Sequence, residues 1–225
     1  MPQNRAALFD VDGTLADTNH LHVVCWWEAL HQHGHRIPMH AIHRAVGLPG
    51  EDLLDHLLAD DRDRGDDELI SSVHDALYAT YFDRLPALAS AADLLRTLSA
   101  AGWKVVLVTS AKDRELTALR RAIDADDAIT DTATSDDVEE GKPSPEPLQH
   151  ALELAGATPE RAVFVGDTVW DMKAAVRAGV AGVGLLCGGI PRGDLEEAGA
   201  TAAYQDPADL LARLADSPFS SVPSA

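Results

Sequence analysis

The feature that most constrains this chain is an alternation. Short apolar runs rich in strand-forming residues (AALFDV from residue 6, KVVLVTS from 104, DAITDTA from 127, RAVFVGD from 161 and AGVGLL from 181) are separated by stretches with apolar residues at helical spacing. Those stretches are SAADLLRTLSAAG, AKDRELTALRRAI, SPEPLQHALELAG and VWDMKAAVRAGV, and Gly102, Gly156 and Gly179 stand where three of the helices should stop. Strands of this kind joined by helices pack as a parallel sheet covered on both faces, so the fold class is α/β.

One interval breaks the rhythm. Between residues 16 and 85 only helical patterns occur: HLHVVCWWEALHQHG, MHAIHRAVG, GEDLLDHLLADD and DDELISSVHDALYATYF. The expected organisation is a core of residues 1–15 and 86–225 with a small all-helical domain, 16–85, inserted after the first strand and lying over the strand ends. The last ten residues, DSPFSSVPSA, are rich in Ser and Pro and read as a frayed tail.

Composition excludes some classes of function. A formal charge of −19 with no basic stripe argues against nucleic-acid binding. No apolar run is long enough to span a membrane, and no leader pattern opens the sequence. Cys25 and Cys187 stand far apart in apolar contexts and read as reduced, buried thiols, so a cytoplasmic location is expected. Oligomeric state is not legible.

In an open parallel sheet, ligands bind beyond the carboxyl ends of the strands, and here those ends carry the chemistry. The first strand runs into Asp10-Val11-Asp12-Gly13-Thr14, the second into Thr109-Ser110, and the fourth into Gly166-Asp167 with Asp171 one helical turn later; GKPSPEP places Lys142 near the same edge. Two acids one residue apart on a tight turn repel unless a cation, a proton or a reaction uses them. Asp10, Asp167 and Asp171 can hold a hard divalent ion such as Mg²⁺, which prefers oxygen ligands. A free carboxylate can then attack phosphorus. Thr109, Ser110 and the amides there, with Lys142, can hold the phosphoryl oxygens. Asp12 is placed to give a proton to the leaving oxygen and later take one from water, and Gly13 permits the turn between the acids. Taken singly, each residue has an ordinary role as turn, helix cap or solvated lysine; taken together, they point to phosphoryl transfer.

The segments DVDGT, VTS, GKPSP and GDTVWD, in this order, resemble the four motifs of the haloacid dehalogenase superfamily. The helical insert resembles the cap of its phosphoglycolate-phosphatase and β-phosphoglucomutase branch. The resemblance spans nearly the whole chain. It implies a Rossmann-like core, bound Mg²⁺, Asp10 as nucleophile, Asp12 as acid and base, and phosphate held by Thr109 and Lys142. It further implies Asp167 as a direct metal ligand, Asp171 as a ligand in the outer sphere or through water, and Asp12 reaching the metal by its backbone carbonyl. In the β-phosphoglucomutase branch a cap histidine approaches the acid/base aspartate, and His22 matches that place.

Seven of the ten histidines fall between His20 and His43, but no Cys or carboxylate completes a recognisable metal set with them. Trp26 and Trp27, being adjacent, cannot share a helix face, so one is expected in the core and the other at the cleft or outside; Trp170 would wall the site or pack a dimer. In AVGLPGEDLL, the cap loop that reaches toward substrate in this branch, Gly47, Pro49 and Gly50 stand without a Lys or Arg, although Arg44 lies just before. A sugar-phosphate mutase needs a cation there for a second phosphate. The expected function is therefore Mg²⁺-dependent hydrolysis of a small phosphorylated metabolite, with a mutase, a dehalogenase and a non-catalytic binding module as the alternatives.

Overall fold

In the computed structural model, residues 4–58, 64–111 and 113–223 are described. The strands are β1 (Arg5–Phe9), β2 (Trp103–Val108), β3 (Ile129–Ala133), β4 (Ala162–Gly166), β5 (Ala181–Leu185) and β6 (Ala200–Tyr204). They form one sheet in the order β3-β2-β1-β4-β5-β6, with every adjacent pair parallel. Side chains alternate across a strand, so β1 feeds two cores. Ala7 and Phe9 pack on one face with helices α5 (Ala91–Ala100) and α6 (Asp113–Ile123). Ala6 and Leu8 pack on the other with α7 (Glu146–Ala155) and α8 (Val169–Ala178). The order turns outward on either side of β1, so β1, β2 and β4 carry their carboxyl-terminal residues to one place.

The sixth strand is a correction, because the alternation above accounts for five. Ala200-Thr-Ala-Ala-Tyr204 is mostly alanine and lies at the sheet edge, with only Ala203 and Tyr204 buried, so it carries little apolar pattern of its own. The tail is a second correction. Helices α9 (Arg192–Glu197) and α10 (Pro207–Ala212) lead to a short helix α11 (Pro218–Ser221), whose Phe219 is buried. Its ring stacks over Phe9 at 6.5 Å and meets Trp103 edge-on at 5.0 Å. Residues 224 and 225 of that segment lie outside the described residues. Phe219→Ala is expected to lower stability by about 3 kcal/mol in urea denaturation while leaving the strand-end site intact. An unchanged midpoint would mean that the tail frays after all.

Between β1 and α5 come four helices: α1 (Asn19–Gln32), α2 (Met39–Ala45), α3 (Gly50–Leu57) and α4 (Asp67–Ala79). Residues 59–63, the first three of which end the third predicted helix, lie outside the described residues. The four helices bury a cluster of their own, including Trp26, Leu30, Ile42, Leu53 and Ile70. The chain segments entering and leaving this insert run side by side. Ala16 bridges Ala87 in antiparallel pairing, the Asp17 N–H donates to the Pro86 carbonyl at 2.9 Å, and the Leu88 N–H donates to the Leu15 carbonyl at 2.9 Å.

Candidate active site

The turn after β1 is tied tightly. The N–H groups of Thr14, Leu15 and Ala16 all donate to the Val11 carbonyl, at 3.2, 2.8 and 3.0 Å. Gly13 adopts φ +77°, and a Cβ there would stand 2.4 Å from both Asn19 Nδ2 and Asp167 Oδ2. Glycine is required on both counts, for the left-handed backbone and for the approach of Asp167. Gly188 is as constrained, because its Cβ would fall 1.8 Å from Asp167 Oδ2.

Asp10, Asp167 and Asp171 converge, each offering an oxygen within 4.8 Å of the other two, and all three are buried. Lys142, also buried, donates to Asp10 Oδ1 at 2.5 Å and to Asp171 Oδ1 at 2.7 Å. Asp171 Oδ2 accepts from the Thr168 N–H and hydroxyl, which caps α8 and fixes that carboxylate. Asp167 accepts from Thr14 Oγ1 at 2.9 Å and from Asn19 Nδ2 at 2.7 Å.

One ammonium does not balance this cluster. Burial pushes the Asp10 carboxyl up to about 7; the charge of Lys142 pulls it back, and that of Asp171 adds to the rise. Burial and the charges of Asp10 and Asp171 hold Asp167 well above the ordinary carboxylate value. Three buried carboxylates with only oxygen donors, short of positive charge, fit a hard divalent cation. The buried Asn19 Oδ1 beside them has no hydrogen-bond partner among the described residues, which again fits a missing donor or ion at this spot.

Asp12, together with Asp10 and Lys142, lines a cavity of about 560 Å³ between the strand ends and the insert, but its own partners are other residues. Its Oδ1 accepts from Thr18 Oγ1 at 2.6 Å and from the Tyr78 hydroxyl at 3.4 Å, and His22 Nε2 lies 3.3 Å away. Burial alone would raise the Asp12 carboxyl, but the hydrogen bond and charge of His22, with Thr18, hold it below its usual value. Burial likewise opposes charge on His22, and the hydrogen bond and charge of Asp12 overcome it, so His22 is raised. Glu115 of α6 stands 4.0 Å from His22 Nε2 and is pushed up to about 7 by burial and by Asp12.

Thr109 is buried at the end of β2, where its N–H donates to the Ala133 carbonyl at 3.0 Å. The Ala111 N–H is spent on Thr109 Oγ1 at 3.0 Å, so the amide expected to be free there is engaged, while Thr109 keeps its hydroxyl hydrogen to give. Ser110 is exposed and lines the cavity. Gly47, Pro49 and Gly50 form the insert's edge of the same cavity: Gly47 lies against Thr168, and Pro49 against Gly141.

The remaining sequence expectations separate. Trp26 is buried and lines the cavity, whereas Trp27 is half-buried and stacks on His31. Trp170 does not line the cavity; its Nε1 donates to the Arg44 carbonyl at 3.0 Å and so joins insert to core. The Arg44 side chain pairs with Asp194, outside the cavity. His20 stacks on His43, whose Nε2 meets the Gly188 carbonyl at 2.8 Å. Cys25 is buried and Cys187 half-buried, and both are free thiols. Thr18, Asn19, Tyr78 and Glu115 escape the sequence reading, as does the bond of Thr14 to Asp167, although Thr14 ends DVDGT and Thr18 and Asn19 follow it within five residues.

Four likenesses to known proteins bear on this geometry. Residues 4–179 match the family described as haloacid dehalogenase-like hydrolase. The pyrophosphatase PpaX of Bacillus cereus is 34% identical over 175 residues, which cover 76% of this chain and 78% of PpaX. A hydrolase from Pseudomonas syringae superposes with a TM-score of 0.89 at 36% identity, covering 95% of this chain and 99% of the other. The β-phosphoglucomutase of Clostridium difficile, at 18% identity and a TM-score of 0.79 over 91% of this chain and 92% of its own, shares the fold.

Proposed function

The chain belongs to the haloacid dehalogenase-like hydrolases, and on that premise we propose that it is a Mg²⁺-dependent phosphomonoester hydrolase of the cytoplasm, acting on a small phosphorylated metabolite through an aspartyl-phosphate. The observation that carries this reading is the division of labour between two nearby acids. Asp10 sits among buried carboxylates and Lys142, while Asp12 faces the cavity with one oxygen held by Thr18, His22 and Tyr78.

Asp10, Asp167 and Asp171, with the Asp12 carbonyl, are the groups that would hold Mg²⁺; when bound, the ion neutralises charge on the phosphoryl oxygens. A carboxylate oxygen of Asp10 attacks phosphorus as the bond to the leaving oxygen breaks, and Asp12 gives that oxygen a proton. Lys142, Thr109 and Ser110 hold the phosphoryl oxygens. Water then attacks the same phosphorus, Asp12 takes its proton, and Asp10 is released with inorganic phosphate. In this reading residues 16–85 are a cap that decides which ester enters.

The leaving group is read as organic. The cavity of about 560 Å³, lined in part by Trp26, Tyr78 and Phe82, is larger than a second phosphate would fill. A mutase gains no support, because the cap loop has no cation and Arg44 is engaged with Asp194. A dehalogenase has no need of Asp12 beside the nucleophile, and a non-catalytic module would not need every one of these positions filled. A panel of phosphorylated metabolites with Mg²⁺, compared by kcat/KM and by release of phosphate, tests the proposal. No phosphate release above background from any ester would refute it.

Metal and pH are linked. Asp10 and Asp167 are raised in the metal-free fold, whereas in the unfolded chain they ionise at the ordinary value of about 4. Their contribution to metal-free stability is thus greatest at low pH and falls as pH rises toward about 7, where Asp10 must ionise. A cation removes that penalty. Mg²⁺ is expected to raise Tm clearly at high pH and far less in acid, because protons compete for the same oxygens. An equal Tm increment at both ends would contradict the site.

A further inference from the structure

The acid/base carboxylate is the inner end of a chain of hydrogen-bonded side chains that runs to solvent. Asp12 Oδ1 meets His22 Nε2 at 3.3 Å, His22 Nδ1 meets His74 Nε2 at 3.2 Å, and His74 Nδ1 meets Asp75 Oδ1 at 2.9 Å. His74 is buried, while the Asp75 side chain is 77% exposed. Consecutive residues of α4 thus point in different directions, His74 inward onto α1 and Asp75 outward. The His74 ring is clamped by Trp26 at 4.1 Å, and the His22 ring by Tyr78 at 3.9 Å.

Donor and acceptor roles follow from the outer end. A carboxylate only accepts, so His74 donates to Asp75 through Nδ1 and turns the lone pair of Nε2 inward. His22 then donates through Nδ1, so its Nε2 meets Asp12 either as the second N–H of an imidazolium or as the acceptor of a proton that Asp12 carries. Thr18, His22 and Tyr78 all meet Asp12 at Oδ1, so Oδ2 is the oxygen left for a substrate. A histidine whose only task was to fill the insert's core would be better replaced by phenylalanine, which needs no partners when buried. Both nitrogens of His74 are instead engaged along one line to Asp12.

We propose that His74 and Asp75 are positioning residues, which hold the proton-transferring carboxylate Asp12 through His22. This rests on the reading of Asp12 as acid and base given above. Both residues line the edge of the cavity, but their hydrogen bonds run to His22 and to each other and not to Asp10, Asp167 or Asp171. The pair acts on the step in which the leaving oxygen is protonated, and it makes that step depend on the packing of α4 against α1.

The test compares two esters. The nitrophenolate released from p-nitrophenyl phosphate departs without a proton, whereas the alkoxide of a simple alkyl phosphate needs one. Asp75→Ala removes the outer acceptor from an exposed position and does not endanger folding. It is expected to lower kcat/KM, which reports the steps up to release of the leaving group, about tenfold on the alkyl ester and to leave it within about twofold on p-nitrophenyl phosphate. Asp75→Asn keeps an acceptor oxygen and should recover most of the loss. His74→Phe, matched in volume, should lower alkyl-ester kcat/KM further. Equal losses on both esters, or none on either, overturn the proposal while leaving the phosphatase reading in place. Wild-type protein that releases phosphate from neither these esters nor any member of the metabolite panel overturns both.

Discussion

Asp10→Asn is expected to lower kcat by more than about a hundredfold while the protein stays folded. The substitution keeps the shape of the side chain at the end of β1 and removes only the charge that attacks phosphorus. It also removes one carboxylate from a cluster already short of positive charge, so the variant should unfold at a temperature no lower than the wild type in the absence of metal. A fold preserved with activity lost separates the chemical role from a structural one. Retention of more than about a hundredth of wild-type kcat would exclude a covalent intermediate on Asp10.

The next largest effect is expected at Asp167. Thr14 and Asn19 orient its carboxylate, and Gly13 and Gly188 have no side chains to crowd it, which is the arrangement of a ligand held in advance. Asp167→Ala should raise the Mg²⁺ concentration needed for half-maximal activity by at least about tenfold. Asp171→Ala should behave differently, because Asp171 caps α8 through Thr168 and holds Lys142. Its loss should cost about 1 kcal/mol of stability and displace the Lys142 ammonium, with a smaller change in metal requirement. Titrating activity and Tm with Mg²⁺ for both variants distinguishes these outcomes. If the two variants behaved alike, the separation of ligand from scaffold drawn here would be wrong.

What could be read from the sequence followed the strength of each local signal. β1, β2, β4 and β5 are short apolar runs, and their polar ends name Asp10, Thr109 and Asp167 directly. Lys142 was legible only as a neighbour of that edge, and its place between Asp10 and Asp171 comes from the packing of the loop. β6 was hidden because alanine carries little strand preference. The tail misleads because a segment rich in Ser and Pro holds one phenylalanine whose partners, Phe9 and Trp103, lie far off in the chain. His22 could be placed beside Asp12 because it follows the first turn closely. His74 and Asp75 could not, since their line to Asp12 depends on how α4 crosses α1, and no motif records a crossing.

The clustered histidines show the converse. HQHGH and HLH suggest a metal by density alone, yet His33 bonds the Ala29 carbonyl, His43 bonds the Gly188 carbonyl and His22 serves Asp12. Among the described residues the only His in a set of close ligand atoms is His22, with Asp12 and Glu115.

The central claim is that the phosphoryl group passes through Asp10. Its most direct test is to mix the enzyme with Mg²⁺ and a cleaved phosphomonoester, quench in acid within one turnover, digest, and weigh the peptide that contains residues 6–17. The account predicts a fraction of that peptide heavier by one phosphoryl group, with the added mass on Asp10 and absent from Asp10→Asn. An unmodified peptide at every quench time, while phosphate is being released, would contradict it.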